Sequence, residues 1–359
     1  MIDQINIKSL KSISDILIDC SKLNLFVGTN SSGKSTALQS ILLVSQNIEQ
    51  KYGLNGPLVS LGEFREAKNF NVSENIIEVA LIDDNNAEIY LSIHYDGEAV
   101  SVDLNASIED YTNVLFYTDF CDGMNYNKQH IQYLSCNRIG SQDTYQKNLY
   151  KLNKFGINGE YAIDYLMEHG SDELEQALIK SMDSFTLLHQ VNAWLKYIIN
   201  ANIMTEDVTG TDVVKARFSL IDGKNLRPKN VGSGISYLIS IIILCLGSQK
   251  DDIILIENPE IHLHPLSQSR LCEFLYFVSK SGRQLFVETH SDHFFNGIRA
   301  GIATGDIIDT DVSVNFFKLN ENNCTVNTRI QFGKRGKILN HVDNLFEQFD
   351  IDLNRMLGL

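Results

Sequence analysis

Proline and tryptophan are scarce in this 359-residue chain, and positive charge is outnumbered. Four prolines leave no Pro-rich linker to divide it, and no internal repeat or low-complexity tract does so either. Thirty Lys and Arg against 45 Asp and Glu give a net charge of −15, which argues against a surface that coats nucleic acid without selectivity. The six cysteines (Cys20, Cys121, Cys136, Cys245, Cys272 and Cys324) form no C-x-x-C pair and have no metal-ligand spacing. They read as free thiols of a reducing cytoplasm rather than a disulfide scaffold. The longest apolar run, Tyr237–Leu246, is half of the roughly 20 residues that a membrane span needs. No basic stretch followed by an apolar one opens the chain, so no export signal is expected. These absences point to a cytoplasmic protein, and a hydrophobic fraction of 43% suffices to fill one large core or two ordinary ones.

What the chain does contain is Gly28-Thr29-Asn30-Ser31-Ser32-Gly33-Lys34-Ser35-Thr36, which fits G-x-x-x-x-G-K-[ST] at every fixed position. The apolar run Leu23–Val27 precedes it, and Thr36–Gln50, free of Gly and Pro, follows it. That strand–loop–helix context is what a phosphate loop requires. Glycines let the backbone curl so that successive N–H groups face an anion, and the helix that follows adds its positive end. Lys34 is expected on the β- and γ-phosphates and the Ser35 hydroxyl on Mg²⁺. Asn30, Ser31, Ser32, Gly33 and Thr36 complete the expected nucleotide-binding set.

Alternation of apolar residues predicts strands at Ile2–Ile7, Ile13–Ile18, Ile76–Ile82, Ala87–Tyr95, Asn113–Tyr117 and Ile131–Cys136. Residues 141–205 lose that pattern and show helix-like runs at Glu160–His169, Glu173–Met182 and Phe185–Ile199, with Trp194 as the expected core residue. From about residue 212 strands and helices alternate. Helices are expected at Ser233–Leu246, Leu266–Ser279, Asp292–Gly301 and Ile338–Met356, and strands at Val213–Ile221, Asp252–Glu257, Gln284–Glu288, Val312–Leu319 and Cys324–Ile330. The division this suggests is an N-terminal lobe (1–140), a helical subdomain (141–211) and a C-terminal lobe (212–359).

Ile253–Ile256 is an apolar strand that runs into Glu257-Asn258-Pro259-Glu260. In a P-loop protein the first acid at such a strand end helps to hold Mg²⁺, and the next position orients or activates water. Upstream, Asn230–Ser236 is a Gly/Ser turn that opens a helix, and its place just before the acidic strand makes it more specific than such turns are alone. It resembles the signature segment of ABC-class ATPases. Phe286–Ser291 is a strand that ends in His290, where that class places its switch histidine.

Together these segments resemble the ABC-type branch of AAA ATPases that includes the overcoming-lysogenization-defect (OLD) ATPases and, more distantly, RecF- and SMC-type heads. Ile256–Pro265 and Glu288–His293 resemble the stand-alone prokaryotic members associated with anti-phage defence, and Tyr133–Gly140 resembles a further family segment. The resemblance implies an α/β fold: an ABC-type P-loop head with a mixed central sheet, an antiparallel β region and a small helical insert. It implies ATP and Mg²⁺ as cofactors, and a homodimer or higher even-numbered homo-oligomer in which ATP is sandwiched between heads. Gly232, Ser233 and Gly234 would then complete a partner molecule's site in trans. Ser35 and Glu257 would hold the metal, with Glu257, Asn258, Glu260 and His290 as the catalytic set.

One position departs from the family, which writes Asp-Glu where this chain has Glu257-Asn258. Asn258 has no carboxylate to accept a proton, so slow hydrolysis is expected, with Glu260 as the stand-in. The expected function is an ATP-gated sensor or scaffold that controls a separate effector protein, a nuclease, in prokaryotic defence. The alternatives are a RecF-type head that clamps DNA through Lys215, Arg217, Lys224, Arg227 and Lys229, and an OLD-like nuclease. The second is disfavoured because only about 60 residues follow the switch-histidine helix. His262, His264, His290 and His293 suggest zinc, but no Cys accompanies them, and the resemblance accounts for them better.

Overall fold

The computed structural model describes residues 1–108, 122–125, 128–151, 153–220, 223–340, 342, 345–346 and 348–357. Strands β1 (Ile2–Leu10) and β2 (Ile13–Asp19) alternate buried and exposed residues as a half-buried hairpin does. They join β4 (Ile76–Asp83), β5 (Ala87–Tyr95) and β6 (Val100–Ile108) in an antiparallel sheet of order β2-β1-β4-β5-β6. A second sheet runs β15-β14-β3-β13-β12-β7, from strands β3 (Leu23–Gly28), β7 (Ile131–Leu134), β12 (Ile253–Glu257), β13 (Gln284–Glu288), β14 (Val312–Leu319) and β15 (Thr325–Arg329). All its pairings are parallel except β14–β15. Strands β8 (Tyr145–Gln146), β9 (Asn202–Asp207), β10 (Val213–Ser219) and β11 (Asn225–Leu226) form a small third sheet around β10.

The parallel sheet is buried on both faces, and side-chain alternation sends its residues into two cores. Ile253, Leu255, Phe286 and Phe317 pack with helix α1 (Lys34–Asn47) and the antiparallel sheet. Ile254, Ile256, Leu285 and Val287 pack on the other face. There they meet helices α3 (Ala162–His169), α4 (Leu187–Ile199), α5 (Ser233–Gly247), α6 (Pro265–Ser279) and α7 (Asp292–Thr304). The chain also has a one-turn helix α2 (Phe64–Ala67) and a last helix α8 (Gln348–Leu357). The apolar run Tyr237–Leu246 lies in α5, whose residues Leu238–Leu246 are all buried in this core. Among the described residues no helix is long and apolar enough to cross a membrane.

Trp194 is buried against Phe274 and Phe277, with ring centroids 4.8 and 5.1 Å away. The run Glu173–Met182 is not the helix its composition predicts but turns around one short 3₁₀ segment, Gln176–Leu178. The reason is the buried Gln190 side chain: its Oε1 accepts the Lys180 and Ser181 N–H groups and its Nε2 donates to the Ser181 and Ser184 carbonyls. These bonds replace a helical ladder. The residues expected to be a helix from Ile338 begin one only at Gln348, after Phe346 adopts a left-handed φ of 54°. The strands β6 and β9, both rich in polar residues, were not expected, and Asn113–Tyr117 lies outside the described residues.

Candidate functional site

Strand β3 lies inside the parallel sheet, so the loop that follows it emerges at the carboxyl edge, where open α/β sheets bind ligands. Gly28 has φ 141°, and a Cβ there would stand 2.0 Å from the Phe317 carbonyl oxygen. No other residue fits. Gly33 has φ 104° and presses on Thr325, whose Oγ1 donates 3.0 Å to the Ser32 carbonyl. Ser31 adopts a left-handed φ of 59°, and the Ser32 hydroxyl closes the turn on the Thr29 carbonyl at 2.8 Å. Helix α1 then starts with no acidic residue in its first turn and no side-chain cap, which leaves its N–H groups for an anion. Lys34 folds back so that its Nζ donates to the Gly28 and Thr29 carbonyls at 3.1 and 2.6 Å. Burial lowers its pKa, an effect that Glu288 and Glu260 oppose.

Asn30–Thr36 line a cleft of about 530 Å³ together with Lys11, Ser12, Glu288 and His290. Lys11 and Ser12 come from the β1–β2 turn, and the Lys11 Nζ rests 2.7 Å from the Gln39 Oε1 of α1. The His290 imidazole is held below its usual pKa by partial burial and by the Lys34 ammonium, so it is neutral at physiological pH.

The carboxylates behind the loop are arranged less simply than the motif suggests. Glu257 and Glu288 are register partners at the ends of β12 and β13. The Ser35 hydroxyl donates 2.7 Å to Glu288 Oε1, whereas both oxygens of Glu257 accept bonds from elsewhere: the Tyr133 hydroxyl (2.9 Å) and the Cys136 N–H (3.0 Å). Glu260 accepts the His290 backbone N–H at 2.8 Å. Asn258 has a left-handed φ of 43°, and its N–H donates to the Glu288 carbonyl at 2.8 Å. Buried atoms without a partner include Asn258 Oδ1, Glu260 Oε2 and Glu288 Oε2. Arg138, 3% exposed, ties this wall together by donating to the carbonyls of Ser135, Glu257 and Asn258 at 3.0, 2.5 and 2.5 Å. Burial lowers the Arg138 pKa to about 10, and it stays charged at neutral pH.

The signature residues are not part of this cleft. Gly232 and Ser233 are exposed at the start of α5. A Cβ on Gly234 would come within 2.5 Å of the His262 carbonyl, so close packing suffices to demand glycine there. His264 caps α6, its Nδ1 accepting the Leu266 N–H at 3.3 Å, and His262 packs on the Tyr237 ring. Among the described residues no group of three or more His, Cys, Asp and Glu is placed to hold a metal ion.

The sequence matches the AAA ATPase domain family over residues 1–184 and 167–295. The chain belongs to this family. No curated protein matches it. Two solved structures share the fold of this AAA ATPase domain. One is an SMC head bound to the C-terminal winged-helix domain of ScpA (TM-score 0.57, 13% identity, 92% of this chain and 97% of that one). The other is an SMC head with an extended coiled coil bound to the C-terminal domain of ScpA, from Pyrococcus furiosus (TM-score 0.54, 14% identity, 99% of each chain). The expected ABC-like α/β head is therefore the fold observed.

In this AAA ATPase domain the donor set suits a nucleotide's magnesium ion. Mg²⁺ takes hard oxygen ligands and keeps several waters, so one or two carboxylates and a hydroxyl are enough beside the phosphates. Ser35 offers the hydroxyl, and the carboxylate against it belongs to Glu288, which motif reading did not single out.

Proposed function

We propose that this chain binds Mg²⁺–ATP in the cleft at the phosphate loop and hydrolyses it slowly, as one head of an ATP-bridged dimer. The carrying observation is the loop itself: a left-handed Gly28, an uncapped α1, and Lys34 bound to loop carbonyls beside Ser35. Asn30–Thr36 would bind ATP, and a metal held there would neutralise charge that develops on the phosphates. His290, which lines this cleft, and Glu260, which accepts the His290 N–H and keeps its other oxygen buried and unpartnered, would be the polarising and water-orienting pair. Asn258 supplies no base, so turnover falls below the roughly 10 s⁻¹ typical of enzymes. A rate of many per second that is undiminished in Asn258→Ala contradicts this.

The Gly232–Gly234 turn, exposed at Gly232 and Ser233, is offered to a second molecule's ATP, which makes a homodimer, or a higher even-numbered assembly, the working state. In this reading lobes 1–140 and 212–359 form the head, and the insert 141–211 packs on it. The resemblance of Ile256–Pro265 and Glu288–His293 to defence-associated ATPases supports a cytoplasmic sensor or scaffold that controls a nuclease effector. The alternative DNA clamp is weakened by pairing in its basic segment: Arg217 lies 3.7 Å from Glu206 and Lys229 lies 2.7 Å from Asp143. Sedimentation with and without ATP tests the dimer. Lys34→Ala abolishes ATP binding, while Ser233→Arg keeps binding and loses ATP-induced dimerisation. A Ser233→Arg protein that dimerises like the parent overturns the shared site.

A further inference from the structure

The motif assigns the metal carboxylate to Glu257, yet each oxygen of that residue already accepts a bond from the fold. Its two oxygens accept the Tyr133 hydroxyl and the Cys136 N–H at 2.9 and 3.0 Å, which fastens β7 and the segment after it to the end of β12. Glu288 differs in its place at the cleft and in its second oxygen. It lines the cleft, it is 4% exposed, and its Oε1 accepts the Ser35 hydroxyl at 2.7 Å. Its Oε2 is buried with no partner at all. A buried carboxylate oxygen left without a donor costs stability, and such a group persists beside a phosphate loop where a cation is to be received.

We infer that Glu288 is the carboxylate that holds the nucleotide's divalent cation together with the Ser35 hydroxyl, while Glu257 is a positioning residue that fixes the strand end. This rests on the Mg²⁺–ATP reading above. The strand register explains how the substitution of roles arises. β13 lies between β3 and β12, so the end of β13, not the end of β12, is the direct neighbour of the strand that feeds the phosphate loop. Glu288 pairs in register with Phe26, two residues before Gly28. A carboxylate at this position is next to the loop, and one on β12 is a strand further away.

The test is equilibrium binding of ATP bearing a fluorescent methylanthraniloyl group, in millimolar Mg²⁺ and in EDTA, with no turnover needed. The parent protein binds more tightly with Mg²⁺. Glu288→Gln keeps the Ser35 contact through its amide oxygen. It retains the affinity seen in EDTA and loses the Mg²⁺ gain by about tenfold or more. Glu288→Asp, which keeps the charge but draws it back by one methylene, recovers part of the gain and serves if the Gln variant folds poorly. Paramagnetic broadening of bound Mn²⁺ reads the same site directly, and its spectrum in the ATP complex changes in both variants. A Glu288→Gln protein with the full Mg²⁺ gain overturns the inference and leaves the ATP reading standing. A parent protein that binds no fluorescent ATP in either condition overturns both.

Discussion

Strands β12 and β13 end side by side, each in a glutamate, and the two ends obey opposite rules. Glu257 and Glu288 face each other in register and are both buried, 7% and 4% exposed. Each carboxylate oxygen of Glu257 has a partner, and Arg138 takes the carbonyl of the same residue. Around Glu288 one oxygen meets Ser35 and the other meets nothing. Buried polar groups are normally paired, and the exceptions call for an explanation. A partner on each of its oxygens marks Glu257 as scaffold. Incomplete satisfaction in a cleft marks the β13 end as the place where a ligand finishes the structure, because perturbed and under-paired groups concentrate at functional sites.

Two substitutions break the scaffold side of this comparison. Arg138→Met has the largest expected effect, because it leaves three carbonyls at the strand end without their buried donor. A loss of about 3–5 kcal/mol in urea unfolding is expected. Its NH1 and NH2 groups are engaged by those carbonyls while Nε has no partner, so a loss under about 1 kcal/mol would show that the guanidinium does not hold the wall. Glu257→Ala comes next. It strands the Tyr133 hydroxyl and the Cys136 N–H, at about 2 kcal/mol. If Glu257 were instead the under-paired member, its removal would be neutral or stabilising by the same measurement.

How far the sequence reveals these two strand ends differs for physical reasons. The phosphate loop, the apolar Ile253–Ile256 strand and the helix starts at Ser233 and Asp292 follow from local rules of spacing, glycine geometry and burial, and the structure reproduces them. Glu288 appears in the sequence only as the last residue of a buried strand before a histidine. Its partner Ser35 is 253 positions away, and nothing but the order β3-β13-β12 brings them together. Lys11 and Ser12 reach the cleft, and Thr325 the back of its loop, in the same way, through a hairpin turn and pairing rather than a motif. Gln190 carries the same lesson in the fold: one distant amide overrides the helical composition of Glu173–Met182. Arg138 lies in a segment that resembles the family, but its donation to the β12 carbonyls becomes legible only in three dimensions.

The smallest effect separates the two strand ends most directly, because it grows with pH. Burial raises the Glu288 pKa above its usual value, with Glu257 and Glu260 adding to the rise and Ser35 and Lys34 opposing it. In the native state this carboxyl therefore binds its proton more tightly than in the unfolded chain. Where the native state holds more protons, stability falls as pH rises. Its favourable contribution is present below the unfolded value, near 4.5, and is lost as pH climbs through the folded value. Glu288→Gln removes the charge but not the shape, so the variant and the parent differ little near pH 4. The variant then becomes progressively more stable than the parent as pH rises above the unfolded value. Urea unfolding at a series of pH values from 4 to 8, with no nucleotide or divalent metal, measures that difference directly. Other carboxylates titrate in both proteins, and subtraction cancels them. A difference that is flat with pH, or one in which the parent gains on the variant above pH 5, means that Glu288 is satisfied in the folded protein after all, and the contrast with Glu257 disappears. Saturating Mg²⁺–ATP then reverses the order at neutral pH, because bound ligand stabilises the protein by RT ln(1 + [L]/Kd) and the variant binds it less tightly. The same substitution thus stabilises the protein without ligand and weakens the complex, which is the behaviour of a binding residue and not of a strut.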